Sequence, residues 1–119
     1  MVTQRQAIGA YGERRAVRHL EAAGLRVVAR NWRCPVGEID IIAWDGDDLV
    51  FCEVKTRRGA GFGTPAEAVV PAKVRRLRRL AAQWLAGSGT NPREVRFDII
   101  EVRLPRSGAA SVTHIRGAF

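Results

Sequence analysis

Two apolar, strand-like runs, Glu38 to Trp44 and Leu49 to Lys55, are separated only by Asp45-Gly46-Asp47-Asp48. A spacer that short, made of turn-forming residues, predicts an antiparallel hairpin, and the rest of the chain must extend or cover that sheet. Register decides which side chains meet. If Gly46-Asp47 form a two-residue turn, or Asp45 to Asp48 a four-residue loop, Asp40 stands across from Glu53. If Asp45-Gly46 is the turn, Glu38 faces Glu53 instead. In either register two acids oppose each other.

The flanking elements follow from periodicity. Gly9, Gly12, Ala16, Leu20 and Ala23 recur at helical steps between Gln4 and Gly24, with Glu13 on the same stripe and Gly24 placed to end the helix. Leu25 to Trp32 reads as a strand, followed by a Cys34-Pro35-Val36-Gly37 turn. Arg57 to Pro65 is glycine-rich and basic and reads as a mobile loop. Beyond it, Pro71 is tolerated in the first turn of a second helix, whose apolar stripe runs through Val74, Leu77, Leu80, Ala81, Trp84 and Leu85. Gly87-Ser88-Gly89 ends that helix. Val95 to Leu104 alternates as a strand, and Val112 to Ile115 is a last short one. The expectation is a single domain over residues 1–119, an α/β layer structure with helices packed on a mixed sheet.

Charge is distributed unevenly. The 20 basic and 12 acidic residues leave a net charge of +8. Yet residues 38 to 53 hold six acids and no base. A basic chain of this kind favours a polyanionic partner, either nucleic acid or an anionic surface. No apolar run approaches the roughly 18 residues of a membrane span, and no leader is visible, so the expectation is a cytoplasmic protein with no membrane partner. The two cysteines, Cys34 and Cys52, and two histidines, His19 and His114, lack the close spacing of a zinc motif.

The opposed acids need an explanation. Two carboxylates about 5 Å apart at an effective dielectric of about 20 repel by roughly 3 kcal/mol. Their strands also carry Ile39, Ile41, Ile42, Val50, Phe51 and Val54, and burial raises the cost of uncompensated charge. A hard divalent cation between them fits best. Lys55, two residues beyond Glu53, shares its face of the strand and points at that position. Of the 20 basic residues 18 are arginine, and Lys55 and Lys73 are the only lysines. Lysine in so arginine-rich a chain hints that a compact ammonium is required.

Gly37-Glu38-Ile39-Asp40 followed by Glu53-Val54-Lys55 resembles the bipartite active-site motif of the PD-(D/E)xK nuclease superfamily, which includes restriction endonucleases and archaeal Holliday junction resolvases. From about Gly9 to Val102 the chain more closely resembles the YraN-like bacterial family, regarded as endonucleases on sequence grounds. The shared residues include Gly12-Glu13 with Ala16 and Leu20, Glu53-Val54-Lys55-Thr56-Arg57, Lys73, and Arg96-Phe97-Asp98. Ile39 stands where the motif's name has proline.

That resemblance implies a restriction-endonuclease-like αβββαβ core and a Mg²⁺- or Mn²⁺-dependent endonuclease acting on structured or branched DNA. Asp40 and Glu53 would hold the metal, Lys55 would assist the attack, and Glu13 would approach the same metal from the first helix. The plainer reading of Glu13 is a helix acid pairing with Arg14 or Arg18. Similarity to the resolvases further implies a homodimer. Arg57, Arg58, Lys73, Arg75 and Arg76 flank the motif and are the candidate nucleic-acid-binding residues. No base-reading motif is visible, so recognition is expected through backbone and shape. Asp45, Asp47 and Asp48 read as turn residues, and Asp98 is as well explained by structure as by a site. The competing reading is a nucleic-acid-binding adaptor that keeps the nuclease fold without turnover.

Overall fold

The hairpin forms where expected. In a computed structural model, which describes residues 1–59 and 70–119, the elements run α1 (Gln4–Ala22), β1 (Arg26–Cys34), β2 (Gly37–Asp45), β3 (Asp48–Arg58), α2 (Pro71–Ser88), β4 (Val95–Leu104) and β5 (Ser111–Ile115). The sheet order is β1-β2-β3-β4-β5. β3 and β4 are parallel, while the other neighbours are antiparallel. Parallel neighbours need a crossover, and α2 lies within the one that joins β3 to β4. Most of the expected basic, glycine-rich loop, from residue 60 onward, lies outside the described residues. Arg57 and Arg58 belong instead to the end of β3.

α1 starts at a capping box. Thr3 accepts from the Gln6 amide while the Gln6 side chain accepts from the Thr3 amide, satisfying two otherwise orphaned donors. Its buried line is Gly12, Ala16 and Leu20 at four-residue steps; Gly9 and Ala23, at the ends of the expected stripe, are exposed. α2 opens with Pro71 and closes on Gly89 at φ 69, a left-handed position glycine adopts without strain.

The two helices cover opposite faces of the sheet. Ala16 and Leu20 of α1 pack with Ile41, Ala43, Val50 and Cys52. Leu77, Leu80 and Ala81 of α2 pack with Ile42, Leu49 and Phe51. Both faces are therefore dry, which is why the central strands read as near-continuous apolar runs. β1 extends past Trp32 to Cys34, which partners Gly37, so the turn contracts to Pro35-Val36. No helix among the described residues is long and apolar enough to cross a membrane.

Candidate active site

The register of β2 and β3 follows the first of the two expectations: Asp45 partners Asp48, and the ladder runs back to Ile41 opposite Cys52. One more step would put Asp40 opposite Glu53, but regular pairing stops first. Ile39 and Ile42 belong to the α2-side core and Ile41 to the α1-side core, so the alternation of faces breaks at Asp40. There the side chain replaces the main chain as β3's partner. Asp40 Oδ2 accepts a 2.8 Å hydrogen bond from the Val54 amide.

This break opens the sheet on both sides of Asp40. Toward α1 lies a cavity of about 450 Å³ bordered by Glu13, Asn31, Glu38, Asp40, Thr56 and Arg58. A second, of about 260 Å³, has Asp40, Glu53, Arg76 and Leu77 on its walls. Burial is the main cause of an Asp40 pKa raised to about 6; the Val54 hydrogen bond opposes it, and repulsion from Glu53, Glu38 and Glu13 adds to it.

Glu53 and Lys55 share a face of β3, as their spacing requires. Glu53 Oε1 lies 3.6 Å from Lys55 Nζ and only 2.5 Å from Lys73 Nζ, on α2. Glu53 Oε2 is buried and has no hydrogen-bond partner among the described residues. The nearby Lys73 is the main cause of a lowered Lys55 pKa; burial lowers it further, and Glu53 opposes the shift. The chain's two lysines thus meet at one carboxylate. Lys73, one of the candidate nucleic-acid-binding residues, thus pairs with the motif carboxylate Glu53. The signal that could have found it is its rarity, since it is one of only two lysines.

Glu13 reaches the cleft because α1 approaches β3 closely. A methyl group at Gly12 would run into the Thr56 side chain. Glu13 Oε1 accepts from Asn31 Nδ2 at 2.8 Å and from Arg30 Nε at 3.3 Å, so its partners come from β1 rather than from Arg14 or Arg18. Asn31 has φ 52, a conformation that favours asparagine among non-glycine residues. Glu13 borders the cavity on one side of Asp40, and Glu53 the cavity on the other. Among the described residues no three His, Cys, Asp or Glu side chains are close enough to hold a metal ion together.

The remaining candidates divide by exposure. Arg58, Arg75 and Arg76 are exposed, with Arg58 at the larger cavity and Arg76 at the smaller. Arg57 instead lies 3.4 Å from buried Glu101. Glu38 pairs with Arg33 at 3.1 Å. Two of the three turn acids are tied down, Asp48 by Arg93 and Asp45 by Arg96. Asp98 is fully buried, and Arg96, His114 and the Gly117 amide all bond to it. This favours its structural reading.

The donor set fits a divalent cation in part. A buried carboxylate oxygen on Glu53, unpartnered among the described residues, is an open acceptor, and Asp40 beside it is a buried carboxyl that, among the described residues, has the Val54 amide as its hydrogen-bond partner and no ion pair. The ammonium of Lys73 already neutralises the other Glu53 oxygen.

Together these features define an α/β protein whose mixed five-stranded sheet parts at β2 and β3 beside an acidic cleft, with two lysines held on its Glu53. The family described as "Uncharacterised protein family UPF0102" matches residues 12–102, a span that holds Glu13, Asp40, Glu53, Lys55 and Lys73. The chain belongs to this family, the YraN-like one. A UPF0102 protein of Beutenbergia cavernae is 60% identical over 113 residues, covering 95% of this chain and 96% of its own. One from Kineococcus radiotolerans is 55% identical over 117 residues, covering 98% and 96%. One from Streptomyces griseus is 56% identical over 114 residues, covering 95% and 96%.

Proposed function

We propose that this protein is a divalent-metal-dependent endonuclease that hydrolyses phosphodiester bonds in structured or branched DNA, on a restriction-endonuclease-like core. The observation that carries the reading is the meeting of Glu53, Lys55 and Lys73 beside Asp40 at the point where the β2–β3 ladder stops. A pairing of acids and lysines at a break in a buried sheet is costly for stability alone and is the kind of arrangement expected of a catalytic cleft.

Asp40 and Glu53 are the residues that would hold Mg²⁺ or Mn²⁺, with Glu13 as the outlying acid. Such an ion, when bound, lowers the pKa of water and stabilises charge on the phosphoryl oxygens. Asp40 must lose its proton to serve, and its raised pKa makes that loss sensitive to pH near neutrality. Lys55, lowered by Lys73, has two uses in this setting. As an ammonium it offsets charge on the scissile phosphate; as an amine it accepts a proton from the attacking water. Arg58 and Arg76, exposed at the mouths of the two cavities, offer guanidinium groups to the flanking phosphates. A pair of such sites in a homodimer would cut two strands symmetrically.

The test is incubation with branched, nicked and single-stranded DNA, and with RNA, in Mn²⁺. The expected result is cleavage of a branched DNA, reduced roughly 100-fold or more in Glu53→Ala and Asp40→Asn. Cleavage unchanged in both variants overturns the assignment. One observation favours the adaptor reading: Lys73 already satisfies a Glu53 oxygen. That reading expects salt-sensitive binding without cleavage and unchanged affinity in Lys55→Ala.

A further inference from the structure

All three tryptophans of the chain border one open cavity of about 390 Å³. Trp32 comes from β1, Trp44 from β2 and Trp84 from α2, and Val28, Gln83, Gly87, Ser88 and Thr90 also line it. Among the described residues no carboxylate borders it. Each ring is half-buried, and Trp84 is fixed from beneath by an edge contact with Phe51 at 6.0 Å and 80°. The cavity thus offers preorganised aromatic surface with the Gln83 amide nearby, while the Ser88 and Thr90 hydroxyls bond to each other and Ser88 to the Leu85 carbonyl, a composition suited to a flat ring with a polar edge.

α2 links this cavity to the cleft. Arg76 borders the cleft, while Gln83 and Gly87 border the tryptophan cavity. Spacings of seven and four residues place Arg76, Gln83 and Gly87 on one side of the helix. Arg79 lies on the same line, midway between Arg76 and Gln83. Arg76 and Arg79 are exposed and form no ion pair among the described residues. From Lys73 to Trp84 the helix rises about 16 Å. A cationic track therefore runs from the cleft to an aromatic cavity, complementary to a strand that carries phosphates on one side and bases on the other.

We propose that the Trp32–Trp44–Trp84 cavity receives an unpaired nucleobase of a single-stranded segment whose backbone follows Arg76 and Arg79 along α2. This rests on the nucleic-acid reading of the cleft and deepens it. A duplex next to an unpaired stretch, as in branched, flapped or gapped DNA, would meet both features at once, with a phosphate in the cleft and a base stacked a few nucleotides away. Stacking on aromatic rings tolerates any base, so the cavity would select for strandedness rather than sequence.

Because every tryptophan of the chain borders the cavity, intrinsic fluorescence reads it directly. The full-length protein is titrated at low salt, without divalent cations, with a short oligothymidylate, a blunt duplex and an abasic oligomer of equal charge. Anisotropy of labelled strands reports binding independently. The expected result is saturable quenching by oligothymidylate, little by the duplex and none by the abasic oligomer although it binds. Gln83→Ala and Trp32→Leu should each weaken oligothymidylate binding by roughly five- to one-hundred-fold relative to the abasic oligomer. Gln83 is exposed, so its variant reports even if Trp32→Leu does not fold. Binding of both strands without base-dependent quenching overturns the cavity assignment and leaves the nucleic-acid reading standing. Failure of every nucleic acid to bind overturns both. Fluorescence that changes with protein concentration alone would place a second copy in the cavity and overturn the proposal.

Discussion

Lys73 Nζ lies 2.5 Å from Glu53 Oε1, so an ammonium carried by α2 rests on a carboxylate of the central strand β3. Glu53 is only 13% exposed and Lys73 17%. Removing one partner of so enclosed a pair leaves a charge without compensation, which costs more than the pair itself contributes. Lys55, at 3.6 Å, softens that loss. Lys73→Met should therefore lower stability in metal-free buffer by about 1–3 kcal/mol. If the cleft takes a divalent cation, the same variant should gain more from added Mn²⁺ than the parent does, because the ion replaces the lost positive charge. Thermal melts with and without Mn²⁺ check both points. An equal Mn²⁺ response in the two proteins would mean that Lys73 and the ion do not share Glu53.

Asp40 gives a pH dependence whose sign follows from burial. Its folded pKa is raised from 3.8 to about 6. Below the unfolded value the carboxyl is neutral in both states and folding carries no penalty from it. Between about 4 and about 6 the unfolded chain is ionised while the folded group holds its proton, so stability falls across that window and levels off above it. Asp40→Asn keeps an acceptor for the Val54 amide but never ionises. Near pH 8 it should be more stable than the parent by up to about 3 kcal/mol, and the difference should vanish near pH 4. Urea unfolding at the two pH values measures this.

Asp98 works in the opposite direction. Burial would raise its pKa, but hydrogen bonds from His114, Arg96 and the Gly117 amide outweigh it and hold the carboxyl below its usual range. Its contribution to stability is present above the unfolded pKa and is lost as pH falls through the lower folded value. The carboxylate ties β4 to β5 and the C-terminal residues, and His114 extends the chain to His19 on α1 at 3.1 Å. Asp98→Ala leaves Arg96 and His114 without their shared acceptor and should cost about 3–5 kcal/mol. Chemical denaturation at neutral pH tests this; a cost below 1 kcal/mol, about the value of an exposed pair, would show that the network is not load-sharing.

Gly12 is where α1 meets β3. A methyl group there collides with Thr56, including its Cβ, which no rotamer change relieves. Gly12→Ala should therefore destabilise the fold by about 1–3 kcal/mol, despite the better helix propensity of alanine. Gly9→Ala, one turn away with open space around it, should be neutral or slightly stabilising. The two denaturation midpoints, compared side by side, separate close packing from helix propensity.

Much of this architecture was legible before any coordinates. The four-residue spacer between two apolar runs demanded a hairpin, and one of its two natural turns put Asp40 in register with Glu53. The helices could be read from four-residue steps of small and apolar residues, and from Pro71 and Gly89 at the ends of α2. These signals are local, because they depend on turn geometry, backbone period and residue shape within a few positions.

The cleft was legible only in outline. Periodicity could place Glu53 and Lys55 on one face, since both lie on one strand. It could not show that the ladder ends at Ile41, leaving the Asp40 carboxylate to take the Val54 amide. Nor could it bring Lys73 to Glu53 across 20 residues of chain, or send Glu13 to Asn31 and Arg30 rather than to its helical neighbours. Sequence by itself determined which elements form and which side chains share an element. Tertiary structure decided which side chains from different elements meet, because that depends on how α1 and α2 dock on opposite faces of one twisted sheet, and a docking angle has no local signature.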